Sequence, residues 1–240
     1  IFEIGVTPNR GDCLSVRGIA RDLAAKGVGT LKPLNIKKTT SEEFESPITW
    51  SIQDDGNSCS FVVSRYYKDI KNTISPDWLQ KKLLSIGLRP INALVDITNF
   101  ITMDLGRPLH VFDADKIGNK LNMRLSHDKE NLLALDNKEY SLNDTTTVIA
   151  DDKNVLAIAG IIGGNDSGCT LETKNVFLEV AVFDPSTVAK TGRKLGINSD
   201  ARYRFERGLD LEMVNEGLEY ATNLINDICG GSFSKKVYAG

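Results

Sequence analysis

The spacing of apolar positions changes character along the chain, and each change marks a different kind of element. Val16, Ile19, Ala20, Leu23 and Ala24 recur at helical intervals. They predict a helix over about residues 13–26, capped by Asp12 and stopped by Gly27. A polar run from Asn35 to Pro47 reads as a linker. From residue 48 the pattern turns β-branched and aromatic, so Ile48–Ile52 and Phe61–Ile70 predict strands. Ser75-Pro76-Asp77 opens a helix that runs to Ile86, ahead of Gly87. Residues 91–104 are apolar enough for strand or helix and are read as helix. Short strands follow at Leu121–Leu125, Leu132–Leu135, Thr147–Ala150, Val155–Ala159 and Val176–Phe183, joined by Asp-Asn and Gly-Gly turns. Asp184-Pro185 starts another helix, closed near Gly196. Leu211, Val214, Leu218, Ala221, Ile225 and Ile228 define a last one, ended by Gly230.

Strands gathered in the middle with helices towards the ends argue for an α+β fold rather than a repeating βαβ sheet. The length of 240 residues suits one large domain with an appendage. The division expected is 1–46, an N-terminal helical appendage or the end of a preceding domain with its linker, and 47–240, the main domain. A start at Ile1, without an initiator Met or a signal segment, is what a piece of a longer protein would show.

Composition adds exclusions. At 41% hydrophobic and 25% charged the chain is ordinary globular material, and no run approaches the roughly 20 apolar residues of a membrane span. The net charge of -3 gives no overall pull towards nucleic acid. Locally, residues 1–40 hold seven Lys/Arg against three Asp/Glu, and residues 186–208 hold six against two. Such clusters either meet phosphates or form solvated faces. Four scattered cysteines and two histidines argue against a zinc site or a disulfide framework, and fit reduced thiols in a cytoplasm.

No phosphate-binding loop and no G-x-S-x-G elbow is present. Gly160-Ile161-Ile162-Gly163-Gly164 is either a tight turn or a place where a ligand approaches bare backbone. His110 follows a Gly-x-Pro turn in Gly106-Arg107-Pro108-Leu109-His110, whereas His127 lies in a polar loop. Glu179 interrupts the apolar run Val176–Phe183. A carboxylate there must be paired, turned to solvent or held at a polar site. Asn198–Gly208 interleaves arginines with aromatics, suited either to phosphates and stacked bases or to an internal Arg–Glu network on a loop.

In order along the chain, several blocks resemble the beta chain of bacterial phenylalanyl-tRNA synthetases. They are Thr7–Ser15 with Gly18–Asp22, Arg89–Asn92 with Val95–Asn99, Gly106–His110 with Phe112–Asp115, Ala159–Gly164, and Asp200–Gly208. The resemblance spans nearly the whole chain and implies a β-sandwich-like mixed-sheet core flanked by helices. It implies an editing domain that hydrolyses the aminoacyl ester of mischarged Tyr-tRNA(Phe). Carried over by position, Glu179 recognises the tyrosine hydroxyl and His110 lies near the scissile ester. Thr98, Arg89, Gly163, Ser199 and Ala201 match other positions of the family's site; Ser199 stands where many relatives have Thr. Attack by a water held by backbone amides and His110, helped by the free ribose hydroxyl, is the expected mechanism. The implied partners are tRNA(Phe) and an alpha chain, in a two-alpha, two-beta assembly that uses ATP and Mg2+ outside this segment. The rival expectation is a tRNA-binding or structural module, silent when isolated.

Overall fold

The computed structural model describes residues 2–37, 44–53 and 57–240. A short 3-10 turn at Gly11–Cys13 leads into helix α1, Val16–Ala25. The cap of α1 is Ser15, not Asp12: with extended backbone, its hydroxyl accepts a hydrogen bond from the Gly18 amide. Asp12, a turn too early for that role, is held by the side chains of Arg10 and Arg21. The expected linker lies partly outside the described residues. Within it Lys37 exchanges main-chain hydrogen bonds with the Asn223 side chain, and Phe44 bridges to Ser234.

The elements that follow are β1 Thr49–Ile52, β2 Cys59–Lys68, α2 Asp77–Ser85, α3 Ala93–Leu105, β3 His110–Asp113 and β4 Lys120–Leu125. Next come β5 Asn131–Leu133, β6 Glu139–Ser141, β7 Thr147–Ala150, β8 Val155–Ile158, β9 Ile162–Gly163 and β10 Val176–Phe183. The chain ends with α4 Pro185–Leu195, α5 Asp200–Phe205, α6 Met213–Cys229, β11 Ser232–Phe233 and β12 Val237–Ala239. Asn92 caps α3 through the Val95 amide and Gly106 closes it in the left-handed conformation, which settles residues 91–104 as helix.

Two five-stranded sheets form an α+β sandwich. One runs β1-β4-β7-β8-β9, with β1 and β4 parallel and the other neighbours antiparallel. The other runs β11-β2-β10-β3, with β12 also on β2. One apolar cluster fills the seam between the sheets, where Leu121, Met123 and Val148 meet Val62, Phe112 and Phe177. A second cluster joins the other face of that second sheet to α2, α3 and α6, through Leu83, Ile97 and Leu218. Strand β10 is therefore covered on both sides, which explains a nearly unbroken apolar run where a one-sided strand would alternate. Phe177, Ala181 and Phe183 face the seam, and Val176, Leu178 and Val180 face the helices. Alternation places Glu179 on the seam side.

Candidate functional site

The pairing of β10 with β3 sets Glu179 directly opposite His110. Antiparallel partners have Cβ atoms about 5 Å apart on one face. Beside them the seam opens into a cavity of about 380 Å3. Its walls come from β3 and β10, from Ile149, Ala157 and Ile158 of the first sheet, from the Gly160–Gly163 turn, and from Ser199, Ala201 and Phe205. Asn99 of α3, Leu135 and Asp200 complete the lining. A larger hollow of about 490 Å3 lies beside α1, walled by Val16, Leu23 and Leu31. It gathers none of the polar residues singled out above.

Glu179 is 4% exposed, and no described residue hydrogen-bonds its carboxyl. Burial pushes its pKa up to about 8, against the pull of the Arg107 guanidinium. His110 packs edge-on against Phe112, with ring centroids 4.4 Å apart. Its Nε2 is buried and has no hydrogen-bond partner, and burial lowers its pKa to about 4. The imidazole is neutral at ordinary pH, and being so weakly basic it can hold a hydrogen bond far more readily than it can take a proton. Two polar groups left open in an apolar enclosure mark a place built to receive something.

Gly163 is fixed by this geometry: a Cβ there would strike the imidazole ring, lying 2.9 Å from His110 Nε2. Gly160, at the head of the same turn, has φ +69, a conformation that suits glycine. Ser199 caps α5 by accepting from the Arg202 amide at 3.0 Å and donates to the Ile161 carbonyl at 2.6 Å. Its hydroxyl thus ties α5 to the glycine turn. Half-buried Ala201 follows in the first turn of α5.

Glu179, His110, Gly163, Ser199 and Ala201 therefore share one cavity. Thr98 and Arg89 are placed differently. Thr98 is buried in α3 with its hydroxyl donating to the Val95 carbonyl at 2.8 Å, while the next residue, Asn99, reaches the cavity wall. Arg89 is exposed in the turn between α2 and α3. Asn99 and Arg107 were not picked out from sequence. The only signal for them was membership of the Val95–Asn99 and Gly106–His110 blocks.

The arginines of Asn198–Gly208 turn inward, on a helix rather than a loop. Arg202 is bound by Glu206 at 3.0 Å, the Ile197 carbonyl and Asn198. Arg204 is bound by Asp200 and the Leu14 carbonyl. Of the two readings open for this segment, the internal network is the one the structure builds. The exposed cations nearby are Lys190, Arg193 and Lys194 on α4. Among the described residues, one group of three potential metal ligands lies close together, Asp12, Cys13 and Asp22. Arg10 binds both carboxylates there. No described helix is long and apolar enough to cross a membrane.

The family profile of the B3/4 domain matches residues 58–230. Among characterised proteins, the chain is 54% identical over 233 residues to the phenylalanine–tRNA ligase beta subunit of Brucella suis biovar 1 (strain 1330), covering 96% of this chain and 29% of that protein. It is 52% identical over 240 residues to the beta subunit of Nitrobacter winogradskyi, covering 100% of this chain and 29% of that one. The chain thus spans less than a third of the length of these relatives. An N-terminal fragment of the phenylalanyl-tRNA synthetase beta subunit from Pyrococcus horikoshii shares the fold, with a TM-score of 0.53 at 17% identity, over 97% of this chain and 64% of that one.

Proposed function

This chain belongs to the B3/4 domain family, and from that premise we propose that its inter-sheet cavity edits a phenylalanine–tRNA ligase, hydrolysing the ester of tyrosine mischarged onto tRNA(Phe). The observation that carries the reading is Glu179, a carboxyl that no described residue hydrogen-bonds, inside a largely apolar cavity and in register with His110. The need for such a site is physical. A synthetic pocket for a phenyl ring rejects an added hydroxyl by only about 100-fold. A second pocket with a buried acceptor favours the hydroxylated ring, because phenylalanine would leave that acceptor desolvated and unpaired. A cavity of about 380 Å3 is within the range of sites for small ligands.

In the reaction, water attacks the ester carbonyl carbon, the bond to the ribose oxygen breaks, and that oxygen leaves as a hydroxyl. Neutral His110 orients the water or the ester by hydrogen bonding. Asn99 supplies the side-chain amide of the cavity wall, with Thr98 holding its helix from behind. Ser199 fixes the glycine turn, and Gly163 and Ala201 keep the room open. Exposed Arg89, with Lys190, Arg193 and Lys194, serves the phosphates of the tRNA end. Aminoacylation, with its ATP and Mg2+, belongs to other parts of a cytoplasmic assembly of two alpha and two beta chains.

Deacylation of Tyr-tRNA(Phe), beside Phe-tRNA(Phe), tests the reading in the full-length enzyme. The expected result is selective loss of tyrosine, abolished by Glu179→Ala. Intact selective hydrolysis in that variant would remove Glu179 from the site. A second reading rests on the short span of the chain relative to the beta subunits it resembles. Alone, it would bind tRNA without turning it over, and activity of the full enzyme with none in this chain would establish that.

A further inference from the structure

Arg107 is 1% exposed, yet among the described residues no carboxylate binds it by a hydrogen bond. Its guanidinium donates to two main-chain carbonyls, Ala181 at 3.0 Å and Asp210. Ala181 is two residues beyond Glu179 on the seam face of β10, so the cation is anchored to the strand that carries this carboxyl. Helix α6 is notched to admit it: a Cβ on Gly217 would lie 3.0 Å from Arg107 Cγ. A cation taken this far from water requires a counter-charge close by, and two carboxylates act on it, the exposed Asp210 and the buried Glu179.

The groups facing Glu179 from each packed element narrow the pairing. Strand β3 brings neutral His110, and β2 brings Ser64, whose hydroxyl accepts from Trp50. The first sheet brings the apolar Ile149, Ala157, Ile158 and Ile162 with glycine, α3 brings Asn99, and α5 adds the exposed carboxylate of Asp200 at the cavity. Arg202 and Arg204 of α5 are buried beside the cavity too, but each is bound by its own carboxylate, Glu206 and Asp200, whereas Arg107 is the buried cation whose charge acts on Glu179.

We propose that Arg107 is a positioning residue for the cavity, a fixed counter-charge that lowers the pH at which Glu179 becomes an ionised acceptor for a phenol hydroxyl. This rests on the editing reading above. The Arg107 charge opposes the effect of burial on the Glu179 carboxyl. Without it, the carboxyl holds its proton over more of the pH range and offers a donor where an acceptor is needed.

The test is the pH profile of Tyr-tRNA(Phe) hydrolysis by the full-length assembly, corrected for spontaneous hydrolysis. The variants are Arg107→Met and Arg107→Gln, each with Glu179 intact and with Glu179→Gln. Gln keeps a donor for the Ala181 carbonyl without the charge and decides the matter if Met does not fold. Neutral variants should raise the pH midpoint by about one unit or more, while Arg107→Lys keeps it near the wild-type value. In the Glu179→Gln background the same changes should leave the profile where it was. A uniform rate loss at every pH, in both backgrounds, would overturn the proposal and make Arg107 a purely structural strut. If Glu179→Gln by itself leaves tyrosine hydrolysis and its profile unaltered, Glu179 is not the acceptor and this proposal falls, whereas no selective hydrolysis of Tyr-tRNA(Phe) by the wild type would overturn the editing reading itself.

Discussion

Helix α5 and the β3–β10 pair both bury ionisable side chains beside the same cavity, and they handle them in opposite ways. On α5, Arg202 and Arg204 are each bound by a carboxylate and by main-chain carbonyls. On the strands, Glu179 and the Nε2 of His110 have no such partners among the described residues. A saturated polar cluster stiffens a scaffold, whereas an open one keeps a desolvation penalty that a ligand can relieve. The richer basic motif in the sequence is therefore the structural one, and the lone acid is the candidate for function.

The comparison breaks most visibly on pH. The folded-state pKa of Glu179, about 8, lies above its ordinary value of 4.5. Its contribution to stability is thus full below about pH 4.5 and is lost as pH rises towards 8. Thermal or denaturant unfolding should show Glu179→Gln overtaking the wild type by about 3–4 kcal/mol between pH 5 and 8. If the gap does not change with pH, the carboxyl is not buried as described. Arg202→Ala should do the reverse, costing about 3 kcal/mol at every pH. For a protein of this size that is roughly 5–10 °C in Tm, with the Tyr-to-Phe hydrolysis ratio of the folded fraction unchanged. Gly163→Ala, which pushes a methyl into the imidazole, should cost about 1–3 kcal/mol and slow tyrosine hydrolysis. Normal hydrolysis by that variant would show the ring free to move aside. The smallest effect belongs to Lys190, Arg193 and Lys194: each change to Ala should lower the salt slope of tRNA binding by about one.

Much of the fold was legible because the apolar pattern matched the local period. Thr147–Ala150 and Val176–Phe183 lie at the expected bounds, and the last helix forms where six apolar positions predicted it. What escaped was short. Strand β3 has four residues with polar ends, and α5 has six with no room for a helical repeat. The pairs β9 and β11 have two residues each and exist only through their neighbours. At the site, Glu179 was legible as a polar break in an apolar run. Asn99 and Arg107 were not, because their meaning depends on which helix turn meets the seam and which carbonyl lies across it.

Strand β2 also governs when the fold can be completed. It is the second strand made, yet its partners are β10, β11 and β12, so its edges stay open while most of the chain is synthesised. At about 5–20 residues per second, the wait from β2 to the last of these partners is on the order of 10–30 s. During that interval an apolar strand with free amides and carbonyls is a template for the wrong neighbour. The nascent chain should therefore depend on holding chaperones more than its finished stability would suggest.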